Sequence, residues 1–189
     1  MNILIINGHP DSGSFVSALF NTYSEKVNKD VNEVKVLDLS KMKFDPVLRF
    51  GLRKRMDPDN EIELSQELIK WTDHFVIFYP IWFGTVPSLL KGWFERVFTP
   101  GIAYNMNGFK ITKLLKGKTA HLVISSGSPV FWQIITGNIE LKMVKRFLAF
   151  CGIKTTMVDR IGLVDAKKIV DERRNRFLEH IGKRAQSMK

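Results

Sequence analysis

Three unbroken apolar runs set the limits on what this chain can fold into. They are NILIIN at 2–7, HFVIFYP at 74–80 and TAHLVIS at 119–125. A half-exposed strand alternates apolar and polar residues, whereas a continuous run marks a strand buried on both faces. Such strands belong to parallel sheets with helices packed on either side. NEVKVLDL at 32–39 alternates like a strand, and KTTMVDRI at 154–161 reads as a further short one.

Helical spacing fills the gaps. Phe15, Leu19, Tyr23 and Val27 recur on one face, with Ser12 or Ser14 as the N-cap. Helices are expected near 61–72, 87–98, 138–150 and 165–186. The second of these carries Leu89, Leu90, Trp93, Phe94 and Val97 on one side, and Trp93 and Phe94 are read as core or interface. Residues 40–60 have no clean period and read as a long excursion. Strand and helix thus alternate five times. The pattern predicts an α/β three-layer sandwich, with a five-stranded parallel sheet in the order 2-1-3-4-5 and helices on both faces: the flavodoxin-like arrangement. With 189 residues and no linker, one domain over 1–189 is expected.

In such sheets ligands bind past the carboxyl ends of the strands, where the strand order reverses. Three loops of unusual composition fall there. The first, NGHPDSGSF, opens a helix and offers backbone N–H groups, the hydroxyls of Ser12, Ser14 and Ser17, and His9. That is either an anion site or an ordinary capped loop. The second holds Pro80, Ile81, Trp82, Phe83 and Gly84. Exposed aromatic residues there call for something flat to cover them, or else plug the sheet's end or an oligomer interface. The third, SSGSPVFW, supplies Ser125, Ser126, Gly127 and Ser128, then Phe131 and Trp132, which could form a lid. A phosphate loop, an aromatic loop and a polar loop at one edge suit a planar phosphorylated cofactor such as a flavin.

Other chemistries find no support in the residues. There is no Walker A motif and no G-x-G-x-x-G. No G-x-S-x-G elbow is present, and the four histidines lack metal-ligand spacing, so no metal is expected. His74 and His121 fall at strand starts, away from the crevice, and read as structural. The lone Cys151 lies in the apolar run FLAFCGI and reads as a buried thiol in a reducing compartment. A formal charge of +10 reads first as a solvated basic surface, and otherwise as attraction for phosphate-bearing small molecules, nucleic acid or an anionic membrane. No nucleic-acid recognition motif accompanies it. NILIIN is too short for a signal peptide or a membrane span, so a cytoplasmic protein without membrane insertion is expected.

On GHPDSGSF (8–15), MKFDP (42–46), YPIWFGTVPSLLKGWFERVFTPGIAY (79–104) and FLAFCGI (147–153), the chain resembles the NAD(P)H:quinone oxidoreductases of the flavodoxin-like superfamily. It looks like their shorter bacterial type. The resemblance implies a flavoprotein that takes hydride from NAD(P)H and reduces a quinone or similar acceptor in ping-pong fashion, working as a homodimer with its site near the subunit interface. It implies a phosphate loop at His9, Ser14 and Phe15. It also implies an isoalloxazine loop at Ile81 to Gly84, a flanking loop at Ser125 to Ser128, and a substrate-pocket tyrosine at Tyr104. Both FAD and FMN fit, since the 40–60 excursion is shorter than in the long FAD-binding members. Two rivals are a flavodoxin-like electron carrier and an ancillary subunit of a potassium-efflux-type membrane system. Carriers of the first kind are typically acidic, unlike this chain.

Overall fold

The computed structural model describes residues 1–51, 53–57, 59–164 and 170–188. In chain order its elements are β1 (Asn2–Asn7), α1 (Phe15–Lys26), β2 (Glu33–Asp38), α2 (Asn60–Trp71), β3 (His74–Pro80), α3 (Ser88–Val97), the strands β4 (Tyr104–Asn107) and β5 (Lys110–Lys113), then β6 (Thr119–Ser125), α4 (Val130–Ile135), α5 (Ile139–Cys151), β7 (Lys154–Ile161) and α6 (Val170–Gln186). The start expected for the last helix, 165–169, lies outside the described residues.

The main sheet has the order β2-β1-β3-β6-β7, with every pair parallel. This is the 2-1-3-4-5 order expected. One face packs on α2, α3 and α5, the other on α1 and α6. The continuous runs explain the layering. In β1, Leu4 and Ile6 face the first layer while Ile3 and Ile5 face the second, and all four are fully buried.

Trp93 belongs to the core. It has no exposed surface, and its Nε1–H donates to Ser65 Oγ at 3.1 Å. Phe94, Phe98 and Phe147 close around it with ring centroids 4.7–5.8 Å apart. Trp93, Phe94 and Phe98 are therefore spent inside the chain and offer no surface to a partner.

Two elements were not expected. Residues 130–135 form a short helix, not a continued loop. Pro129 fixes the entry and accepts the Trp132 N–H at 3.1 Å. Residues 104–113 form an antiparallel hairpin that turns at Gly108, whose φ is +57°. Glycine at the first central position is what such a two-residue turn requires.

The histidines read as structural are buried. His74 Nδ1 lies 2.7 Å from Thr119 Oγ1, and burial lowers its pKa to about 4. His121 Nε2 lies 2.9 Å from Asp159 Oδ2, while His180 Nε2 lies 2.9 Å from Oδ1. Arg184 adds a longer contact to Asp159 at 3.5 Å. One carboxylate so ties β6, β7 and α6 together. Burial pushes Asp159 up, but the two histidine hydrogen bonds and their charge outweigh it and hold its pKa near 2, below the ordinary 3.8. A depressed carboxylate stabilises the fold above its unfolded pKa and loses that contribution as pH falls through the folded one. The stability gap between the wild type and Asp159→Asn, read by urea unfolding, should therefore narrow as pH falls from about 4 to about 2. Parallel stability curves across that window would contradict this assignment.

Candidate functional site

Parallel strands deliver the loops after β1, β3 and β6 to the same edge, and hydrogen bonds fix their spacing. The Gly8 N–H donates to Phe78 O at 2.8 Å, and the Ile81 N–H to Ser125 O at 2.8 Å. Gly8 has to be glycine. A Cβ there would lie 2.9 Å from Phe78 O and 2.7 Å from a Leu90 methyl.

Asn7 closes β1 and was not singled out in the sequence. It is fully buried. Its amide donates to Ser17 Oγ and to Asp38 Oδ1, both at 2.9 Å, and its oxygen accepts the His9 N–H at 3.1 Å. One side chain thus fastens the ends of β1 and β2 to α1 and sets the start of the first loop. An asparagine ending an otherwise apolar run was the available signal.

Beyond it, His9 Nδ1 accepts the Asp11 N–H at 2.9 Å, so the free ring proton sits on Nε2. Burial lowers the His9 pKa, against an opposing effect of Asp11, which keeps the ring neutral at neutral pH. Ser14 caps α1. Its Oγ accepts the Ser17 N–H at 3.1 Å and donates to Ser17 Oγ at 3.0 Å. The Ser14 hydroxyl is therefore committed to the helix. The backbone N–H groups of Ser12, Phe15 and Val16 take no acceptor among the described residues. Unpaired amides at a helix start form an anion cradle.

The aromatic loop is a tight turn. Trp82 and Thr85 exchange N–H···O bonds at 3.0 Å each, and the two residues between them have positive φ: Phe83 at +49° and Gly84 at +74°. Both central residues left-handed is the type I′ geometry. A Cβ on Gly84 would touch nothing, so glycine is needed for its φ. Phe83 is fully exposed and Trp82 partly so. Trp82 meets the His9 ring edge-on at 5.1 Å, which joins the first loop to the second. The Phe83 and Gly84 N–H groups take no acceptor among the described residues.

In the third loop Ser125 and Ser126 are buried. The Ser126 hydroxyl donates to Ser128 O at 2.8 Å and accepts from the buried Gln133 amide at 2.5 Å. It shapes the loop from within. The Gly127 and Ser128 N–H groups take no acceptor among the described residues. Gln133 is the second residue the sequence did not disclose: it is the buried position in a helix whose apolar residues Phe131, Trp132, Ile134 and Ile135 all face solvent.

His9, Ser14, Phe15, Pro80 to Gly84 and Ser125 to Ser128 are thus brought together, with Phe131 and Trp132 beside them on α4. Tyr104 is not. It is buried and packs edge-on to Phe150 at 4.8 Å, near the end of α5 and so toward the opposite edge of the sheet. Cys151 is buried as expected, and burial pushes its thiol up to about 11.

A family model described as a flavodoxin-like fold matches residues 1–184. An uncharacterized NAD(P)H oxidoreductase of Haemophilus influenzae is 28% identical over 195 residues, covering 99% of this chain and 95% of that protein. NAD(P)H dehydrogenase [quinone] 1 of Cavia porcellus is 32% identical over 180 residues, covering 80% of this chain and 64% of that protein. The crystal structure of Smu.1420 from Streptococcus mutans superposes with a TM-score of 0.85 at 29% identity, over the whole of both chains.

Asn7→Ala should cost roughly 2–3 kcal/mol in denaturant unfolding, because it strands buried partners on three elements. A cost below about 0.5 kcal/mol would mean that Asn7 does not fasten the loop.

Proposed function

The chain belongs to the flavodoxin-like fold family, and on that footing we propose that it is a flavin-dependent NAD(P)H oxidoreductase reducing a quinone or similar electrophilic acceptor. The observation that carries this reading is the set of backbone N–H groups along one edge that take no acceptor among the described residues, at Phe15 and Val16, at Phe83 and Gly84, and at Gly127 and Ser128. The names of the Haemophilus and Cavia relatives support the donor and the acceptor class.

The residues fit a flavin in three respects. The α1 start offers N–H groups and a helix dipole to a phosphate. The Phe83–Gly84 turn holds its amides rigidly, so they pay no reorganisation cost when they meet ring heteroatoms. Trp82 and Phe83 supply apolar surface that a planar ring can cover. FAD and FMN both remain compatible with this site.

Bound flavin would supply the hydride chemistry, taking two electrons from NAD(P)H and passing them to the acceptor. The protein's part is to position and to exclude water. His9, neutral with its proton on Nε2, can donate a hydrogen bond to the phosphate region. The exposed Phe131 and Trp132 on α4 can cover the crevice mouth. Donor and acceptor would use that mouth in turn, which gives ping-pong kinetics.

The reading extends to a homodimer over a single flavin-binding domain, 1–189, in the cytoplasm. The exposed apolar surface of α4 beside the crevice supports self-association. In a dimer Tyr104 could serve the partner subunit's pocket. Among the described residues no helix is long and apolar enough to cross a membrane.

The purified protein should show flavin absorbance that bleaches with anaerobic NADPH or NADH and returns on adding a simple quinone. Protein that stays colourless after incubation with FMN and FAD would overturn the reading. Gly84→Val, which puts a β-branched residue at φ +74°, should lose flavin while costing only roughly 1–2 kcal/mol of stability. Stoichiometric flavin in that variant would remove the turn from the site.

A further inference from the structure

The end of β7, the start of α4 and the first turns of α6 enclose an open groove of about 390 Å³. Three arginines line it, Arg160, Arg173 and Arg176, above an apolar floor of Val130, Ile161 and Phe177. No acidic side chain lines it among the described residues. Three guanidinium groups held together without a carboxylate repel one another unless an anion joins them.

The nearby acids are engaged elsewhere. Asp159 is bound to His121, His180 and Arg184. Glu172 reaches Arg176 only at 3.6 Å, with both side chains exposed, a pair of little energy. Arg160 gives one N–H to the neutral amide oxygen of Asn138 at 2.5 Å. Arg173 has no acidic partner among the described residues.

The groove is fixed to the crevice. The Leu163 N–H donates to Ser128 O and the Val164 N–H to Ser126 O, each at 3.2 Å. Its wall is therefore continuous with the loop whose Gly127 and Ser128 amides face the proposed flavin. Val130 stands two residues past Ser128.

We propose that this groove seats the adenosine 2′-phosphate of NADPH and makes the enzyme prefer NADPH to NADH. The inference rests on the reading of a nicotinamide dinucleotide as hydride donor. Guanidinium forks match a terminal phosphate in shape and charge. The apolar floor gives the purine a surface to lie on. An extended dinucleotide can place its nicotinamide at the crevice and its adenosine end here.

Binding of three fragments by titration calorimetry tests the groove without any turnover: adenosine 2′,5′-bisphosphate, 5′-ADP and 5′-AMP. The bisphosphate should bind about tenfold tighter than either of the others, and more weakly as salt rises. The Arg173→Gln/Arg176→Gln double variant should lose that advantage. Its KM should rise more for NADPH than for NADH. Should the double variant not fold, Arg173→Gln alone carries the same comparison. Equal binding of 5′-ADP and the bisphosphate would assign the groove to a pyrophosphate and overturn the proposal. So would an unchanged bisphosphate preference in the variant. Because the fragments are read without flavin or hydride transfer, a protein lacking turnover leaves this outcome decidable, and an inactive groove leaves the oxidoreductase reading standing.

Discussion

All five strands of the main sheet run in one direction, so the chain has one edge at which to leave each strand it has completed. Every strand-to-helix loop collects there, and every return loop collects at the other edge. The reversal of strand order around β1 and β3 then opens a crevice between loops that would otherwise crowd together. The crevice thus follows from parallelism and topology before any side chain is considered. Two backbone bonds, Gly8 to Phe78 and Ile81 to Ser125, set the spacing of its three walls.

The division of labour within those walls is physical. Hydroxyl and amide side chains hold the loops in shape: Ser14 caps α1, Asn7 joins three elements, and Gln133 holds Ser126. Backbone N–H groups at the α1 start, in the type I′ turn and in the third loop take no acceptor among the described residues, and in the proposed site they are what is left for a ligand. A side-chain donor can rotate away, whereas an amide in a type I′ turn cannot. A binding edge built of amides is therefore preorganised, and its specificity rests on conformation more than on residue identity.

Much of the fold was legible because burial on both faces leaves an unmistakable apolar run. The limits of β1, β3, β6 and β7 read from the sequence agree with the structure. The hairpin escaped notice although Asn107-Gly108 is a turn signal, because its flanking residues are mostly exposed and lack a clear apolar face. Helix α4 escaped because it inverts the usual pattern, burying a glutamine and exposing its apolar residues. The candidate loops could be placed at one edge from strand order alone. Whether Ser14 and Ser126 were free or committed could not, since their partners are set by backbone geometry. The shared direction of the strands likewise could not reveal that Tyr104 packs on Phe150 at the end of α5. The arginine groove draws on β7 and α6, which meet only in the folded chain.

The central claim is that one set of backbone amides forms the flavin cradle. Amide chemical shifts of isotopically labelled protein, followed by NMR as FMN or FAD is added, test it directly. The account predicts that the amides of Phe15, Val16, Phe83, Gly84, Gly127 and Ser128 shift together, and more than those of the hairpin at 104–113. Shifts concentrated at the hairpin, or scattered with none at these six positions, would contradict it.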